Sequence, residues 1–232
     1  MQLPEPREFG WALKNFDNAH STVTHLPDGR TLFEVDHPPV RDVTAEMLSW
    51  WYGTYADLTL EIDGDSYPAF LVSHPLDHIS LSSEKAVKDG PLKAGDFLNI
   101  QEAYQRNPKY ALDERLEVVA LDAQRFALKA TRRGVTVADL EFRFEDGPDG
   151  AKFTNHLTVG VERGWLKSLV NRVMIPWIYY EDKNYAWVLH TVEEVGNFEN
   201  FLPEIFARRD QGMTIRWNRN SLADNEDRAP EG

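Results

Sequence analysis

The sequence predicts an α+β fold in which a curved antiparallel sheet wraps a long C-terminal helix. Three observations predict it. Between Arg115 and Glu162, strand-like runs follow one another through short turns. After Gly164 the hydrophobic spacing changes from the alternation of a strand to the period of a helix. Ahead of both lie a hairpin signal and one short helix signal.

In chain order, residues 1–20 carry mixed charge and two prolines and are expected to run over the surface. Ser21–His25, Pro27-Asp28-Gly29 and Thr31–Val35 read as a hairpin around a strong turn. His25 and His37 lie near strand ends, where a surface or structural role is the default. Asp42–Gly53 reads as a short helix, capped by Thr44 or Asp42, with Met47, Leu48 and Trp51 as its apolar stripe and Gly53 at its end. Strands are expected at Ala56–Ile62 and, past a turn at Gly64, at Tyr67–Ser73, with His74 directly after and Pro75 ending the run. Residues 79–96, rich in Lys, Asp, Gly, Pro and Ser, read as a loop, either an ordinary surface loop or a lid over a site. Phe97–Tyr104 is the next strand. The meander then runs through Leu116–Leu121, Arg125–Thr131, Val135–Phe144 and Phe153–Val161.

Trp165–Tyr180 reads as a helix pair interrupted at Pro176. A second helix starts near Asp182 and passes through Tyr185, Val188, Leu189 and Val192 to Phe198 or beyond, with Gly196 a candidate end of its first part. Residues 218–232 are polar and acidic and are expected to be disordered, which leaves 1–217 as a single domain. This order of elements is the helix-grip (Bet v 1-like) arrangement. The sheet cannot bury its concave face alone, the long helix closes it, and a cavity is left between them.

Bulk properties exclude several functions. The chain has 232 residues, 42% hydrophobic and 27% charged, which is ample for a core and an internal pocket. A formal charge of −13 argues against nucleic acid or an anionic membrane as partner. The absence of cysteine rules out disulfides, thiolate metal sites and a cysteine nucleophile. No basic segment followed by an apolar run opens the chain, so no signal peptide is expected. The most apolar window, Trp165–Tyr180, contains Lys167, Arg172 and Pro176 and is too short to span a bilayer. A cytoplasmic protein is the simplest expectation.

Three places carry residues that suit chemistry. His190 and Glu194 are four apart, so on a helix they share a face and can grip one divalent cation, although Glu193 shares that face too and a solvated ion pair is the plainer reading. His74-Pro-Leu-Asp77-His78 packs two imidazoles and a carboxylate into five residues, which are costly to bury without partners; an exposed, capped turn is the alternative. Glu102 lies in an otherwise apolar strand, where a carboxylate either faces solvent or has a partner inside. Two histidines and two carboxylates suit zinc, with cobalt, iron or manganese as alternatives.

The H-P-x-D-H segment at 74–78, the glutamate at 102 and the H-x-x-x-E at 190–194 together resemble the family of 2,4-diacetylphloroglucinol hydrolase and phloretin hydrolase. The resemblance covers roughly residues 45–200. It implies a helix-grip fold, bound zinc, and hydrolysis of the carbon–carbon bond between an acyl group and a polyhydroxylated aromatic ring, with a small aromatic ketone as substrate and a homodimer as assembly. Carried over by position, His74, Glu102, His190 and Glu194 are the implied zinc ligands. Asp77 falls where the family has a polar, substrate-contacting asparagine. His156 falls where a histidine moves protons, and His78 is a second candidate for that step. Tyr67, Tyr104 and Tyr180 are the candidates for holding the phenol. Two other readings compete. A metal-free helix-grip carrier would bind a hydrophobic small molecule without turnover. A dimerising structural module would use the Trp165–Tyr180 surface and have no ligand-sized cavity.

Overall fold

The computed structural model describes residues 3–84, 90–178 and 180–219. The expected disordered tail beyond 219, and residues 85–89 of the expected loop, lie outside the described residues.

The meander forms as its alternation predicts. Strands β1 (His20–His25) and β2 (Thr31–Asp36) make the first hairpin. Later come β5 (His78–Ser83), β6 (Phe97–Ala103), β7 (Ala111–Leu121), β8 (Arg125–Arg132), β9 (Val135–Gly147) and β10 (Gly150–Val159). Together they build one eight-stranded sheet in the order β1-β2-β10-β9-β8-β7-β6-β5. The β8–β9 turn is two residues, Arg133 and Gly134, both with positive φ (51° and 77°), the geometry that matches strand twist in a tight hairpin. Register shifts at Val118/Ala120 and Ala130/Thr131 bend the sheet towards its concave side. A smaller sheet joins β3 (Thr59–Ile62) to β4 (Asp65–Pro68) and, in parallel, to β11 (Thr214–Trp217).

Helix α1 (Ala45–Thr54) begins where expected, with Thr44 Oγ1 accepting from the Met47 amide; Gly53 lies inside it. The long helix α4 (Glu181–Ala207) closes the concave face, so the architecture is a helix-grip fold. It does not break at Gly196. A Cβ there would lie 2.1 Å from Lys14 Cγ, so the glycine admits the close approach of the N-terminal segment rather than ending the helix. The upstream helix α3 (Lys167–Ile178) is one helix through Pro176, not a pair. The missing N–H sits in its last turn, where a single lost bond is tolerated. Leu169 and Val173 on it, with Trp165 just before it, are exposed apolar side chains.

Local patterns were misleading elsewhere. The run expected as a strand over Tyr67–Ser73 is β4 followed by a short helix, α2 (Ala69–Ser73). A short apolar run fits either state, and tertiary contact decides: Asn197 Nδ2 of α4 donates to the Val72 and Ser73 carbonyls, both at 2.9 Å, taking up helix-end acceptors. The expected loop over 79–96 begins instead with β5, paired to β6. The strand expected at Ala56–Ile62 is shorter at its start. Residues 3–20 run mostly over the surface as expected, but Phe9 is buried, Trp11 packs against the core, and Arg7 Nη1 donates to the Pro75 carbonyl at 3.1 Å.

Two apolar clusters fill the interior. One gathers α1, the small sheet and the C-terminal half of α4 (Val195, Phe198, Phe201, Leu202, Ile205). The other gathers Phe33, Val35, Leu157, Val159 and the N-terminal half of α4 (Ala186, Trp187, Val188, Val192). His190, Thr191 and Glu194 are buried on α4 at the seam between them. Among the described residues, no helix is long and apolar enough to cross a membrane.

Candidate metal centre and cavity

Each chemical side chain is positioned by an element that local sequence explains. Glu102 is on an inward position of β6, flanked by inward Ile100. His78 opens β5 and is the cross-strand partner of Glu102, and directly opposite residues share a face of the sheet. His190 and Glu194 share the buried stripe of α4. The segment between α2 and β5 therefore brings His74, Asp77 and His78 against the middle of the long helix.

Hydrogen bonding distinguishes the two histidines of that segment. His78 Nδ1 lies 2.6 Å from the Phe70 carbonyl oxygen and so donates to it. Its Nε2 is then the bare, lone-pair nitrogen, and it has no hydrogen-bond partner among the described residues. That nitrogen lies 3.5 Å from Glu102 Oε1 and 3.9 Å from Glu194 Oε1. A buried lone pair facing two ionised carboxylates is repulsive unless a proton or a cation lies between them. His190 has the same orientation logic: Nδ1 donates to Asp77 Oδ2 at 3.1 Å, and Nε2 faces Glu102 Oε2 at 3.8 Å. His74 is different. Its Nδ1 accepts the Asp77 amide at 3.1 Å and its Nε2 donates to Glu193 Oε2 at 3.1 Å, so both nitrogens are engaged.

The donor set fits a divalent cation at His78, Glu102, His190 and Glu194. His74, the histidine the resemblance implied as ligand, stacks on the His190 ring at 4.4 Å. A second grouping, His74, Asp77 and His190, is close enough to hold an ion, but its atoms already hydrogen-bond to one another or to the backbone. Asp77 is also not a cavity contact. Its Oδ2 and Oδ1 accept the Gln105 and Arg106 amides at 3.0 and 3.1 Å, and it orients His190, as carboxylates behind metal-bound histidines do.

Charge states follow from burial. Burial pushes the Glu102 and Glu194 carboxyls above the usual range, with the His190 charge pulling each back. Burial also drives His78 well below 6.5, assisted by the neighbouring imidazoles. For His190 burial acts downward, but the Asp77 hydrogen bond and the charges of Glu102, Asp77 and Glu194 push it up to about 9. Burial would raise Asp77, and its bonds to His190 and to backbone amides hold it low instead. The pocket is therefore built to hold positive charge among carboxylates.

A narrow inner chamber of about 70 Å³ is walled by Glu102, His190 and Glu194 together with Tyr52, Tyr55, Tyr104, Asn155 and Thr191. Tyr104, Leu112, Leu116, Leu128, Leu140 and Trp187 line both it and an outer chamber of about 370 Å³, whose wall also carries Asp113, Glu114, Arg132 and Lys183. Of the tyrosines expected to contact substrate, Tyr104 is in place, its ring 4.8 Å from that of His190. Tyr67 packs edge-on against Phe9 and Tyr180 lies beside Tyr110, both away from the chamber. His156 points to the opposite face of β10, where it lies 3.5 Å from Glu34. Strand alternation puts its neighbour Asn155 inside, with Nδ2 donating to Thr191 Oγ1 at 2.7 Å and Oδ1 accepting from His37 Nε2 at 2.7 Å. Asn155 was readable from the phase of Phe153, Leu157 and Val159. Tyr52 and Tyr55 gave no signal, because on α1 they continue an ordinary apolar stripe.

No family model matches the chain, and no curated protein matches it. Solved structures match at low identity. Protein Ms6760 from Mycobacterium smegmatis is 10% identical, covering 80% of this chain and 99% of that one, with a TM-score of 0.45. A START superfamily protein from Mycobacterium smegmatis is 12% identical over 75% and 98%, with a TM-score of 0.45. The di-domain ARO/CYC protein BexL from the BE-7585A biosynthetic pathway is 14% identical over 75% of this chain and 50% of that one, with a TM-score of 0.47. The helix-grip assignment rests on this chain's own sheet and helix.

Proposed function

We propose that this chain binds a small, largely apolar, ring-bearing molecule between sheet and helix, and hydrolyses it with zinc held by His78, Glu102, His190 and Glu194. The carrying observation is the bare His78 Nε2, buried against two carboxylates at the closed end of an apolar cavity. The reaction proposed is hydrolysis of an acyl–aryl carbon–carbon bond, as in an acylphloroglucinol. That bond breaks, the acyl carbon gains hydroxyl to become a carboxylic acid, and the ring carbon gains a proton, so one water is consumed. A bound divalent cation supplies Lewis acidity towards the carbonyl oxygen and makes water a better nucleophile near neutral pH. Asp77 fixes the His190 ring, and Phe70 fixes the His78 ring both through its carbonyl and by stacking at 3.7 Å. Leucines and Trp187 exclude water from the bound ring. Neither histidine expected to deliver the proton is free for it: His156 faces away and His78 is used as a ligand.

Elemental analysis of purified, tag-free protein tests this reading. About one zinc per chain, with release of the free ring and carboxylic acid from 2,4,6-trihydroxyacetophenone, supports it. Full activity without metal would end it. The carrier reading is favoured by one observation, the size and largely apolar lining of the outer chamber, charged only at Asp113, Glu114, Arg132 and Lys183, which needs no metal. Tight ligand binding by metal-free protein, with no turnover after zinc is restored, would put it first. The resemblance also implies a homodimer; the exposed apolar side chains of α3 are the surface such a contact would use, and a monomer mass by light scattering would count against it.

A further inference from the structure

We infer that the Tyr52 hydroxyl is the hydrogen-bond donor that receives the ligand's oxygen in the inner chamber. The inference rests on the ligand-binding reading above. Tyr52 is 2% exposed and its Oη has no hydrogen-bond partner among the described residues. Its ring is fully occupied in packing, stacked on Phe126 at 4.6 Å and Phe142 at 5.3 Å and edge-on to Phe198 at 6.2 Å. Phenylalanine would make those same contacts without burying an unsatisfied hydroxyl, which folded proteins avoid. Packing therefore accounts for the ring and leaves the oxygen unexplained.

The chamber accounts for the oxygen. Tyr52 shares its wall with Glu102, His190 and Glu194, and the opposite polar groups, Asn155 and Thr191, already bond to each other. A neutral phenol donor suits a carbonyl or phenol oxygen that gains negative charge as the ring–acyl bond is cleaved. A buried polar atom kept at a cost to stability is the signature of a group that waits for a ligand.

The experiment compares wild type with Tyr52→Phe in zinc-loaded protein, by thermal unfolding, by 2,4,6-trihydroxyacetophenone binding through tryptophan fluorescence, and by turnover. The expected result is a variant that melts no lower than wild type and yet turns over about 10²-fold slower, the scale of one lost oxyanion donor. If wild type binds without turnover, the hydrolase reading fails, and a roughly tenfold weaker affinity of the variant still upholds Tyr52 as a ligand contact. Equal turnover in the two proteins or, where wild type does not turn over, equal affinity, including binding by neither, overturns the inference while the metal analysis stands on its own. Tyr55→Phe, at the C-cap of the same helix and in the same wall, is the control and is expected to change turnover less.

Discussion

At the scale of single residues, His74 and His78 sit four apart and differ in what their ring nitrogens touch. His78→Ala is expected to lower zinc content from about one per chain to near zero, whereas His74→Ala keeps most of it; elemental analysis of the two variants reads the difference. Asp77→Asn keeps the shape behind His190 but not the charge, and zinc affinity measured by chelator competition is expected to fall about 10–100-fold. The sequence carried the right segment and could not choose the histidine. That choice depends on the β5–β6 register and on which nitrogen the Phe70 carbonyl claims, and both are tertiary facts. His37 gives a pH-dependent prediction away from the metal. Burial holds its pKa down to about 4, against 6.5 in an unfolded chain, and the Asn155 hydrogen bond offsets only part of this. The unfolded chain thus binds more protons between these values, so stability is intact above pH 6.5 and is lost as the pH falls towards 4. With allowance for the ring's residual solvent contact, His37→Gln is expected to remove about 1 kcal/mol of the stability loss between pH 7 and pH 5, measured by urea unfolding.

Among elements, turns separate into those that need only backbone freedom and those that also need space. Gly134 has φ 77° with nothing within 4 Å of an added Cβ, so Gly134→Ala is expected to cost about 1–2 kcal/mol. Gly150, at φ 122°, would set its Cβ 2.2 Å from the Val40 carbonyl oxygen, and Gly150→Ala is expected to cost about 3 kcal/mol or more, because backbone must move. Chemical denaturation of both variants checks the order. The long strands and α4 were legible because alternation and helical spacing persist over many residues. The segment from Tyr67 to Ser83 was not. α2 and β5 are five and six residues long, α2 is finished by Asn197 from far along the chain, and β5 follows a turn whose Leu76 carbonyl and Asp77 carboxylate are held by Arg106 from outside.

For the whole molecule, a polar seam divides two apolar clusters, and the proposed zinc ligands come from β5, β6 and α4. A cation bound there ties the two halves together only in the folded chain. Removing it with a chelator is expected to lower the melting temperature, and adding zinc at about 100 times its dissociation constant is expected to restore about 2.7 kcal/mol. Scanning calorimetry with and without chelator decides it; an unchanged transition would count against the site. The cavity was foreseeable from the order of elements, while the docking of Phe9 and Trp11 was not, because Trp11 stacks on Trp217, more than two hundred residues later. That last strand has a consequence during synthesis. β11 lies in parallel against β3, and Arg219 Nε reaches Asp63 Oδ2 at 2.6 Å. A nascent chain therefore carries β3 with one bare edge through most of translation. The small sheet is complete only when residues 214–219 have emerged from the ribosome, so its docking is expected to come after that segment rather than with β3 and β4.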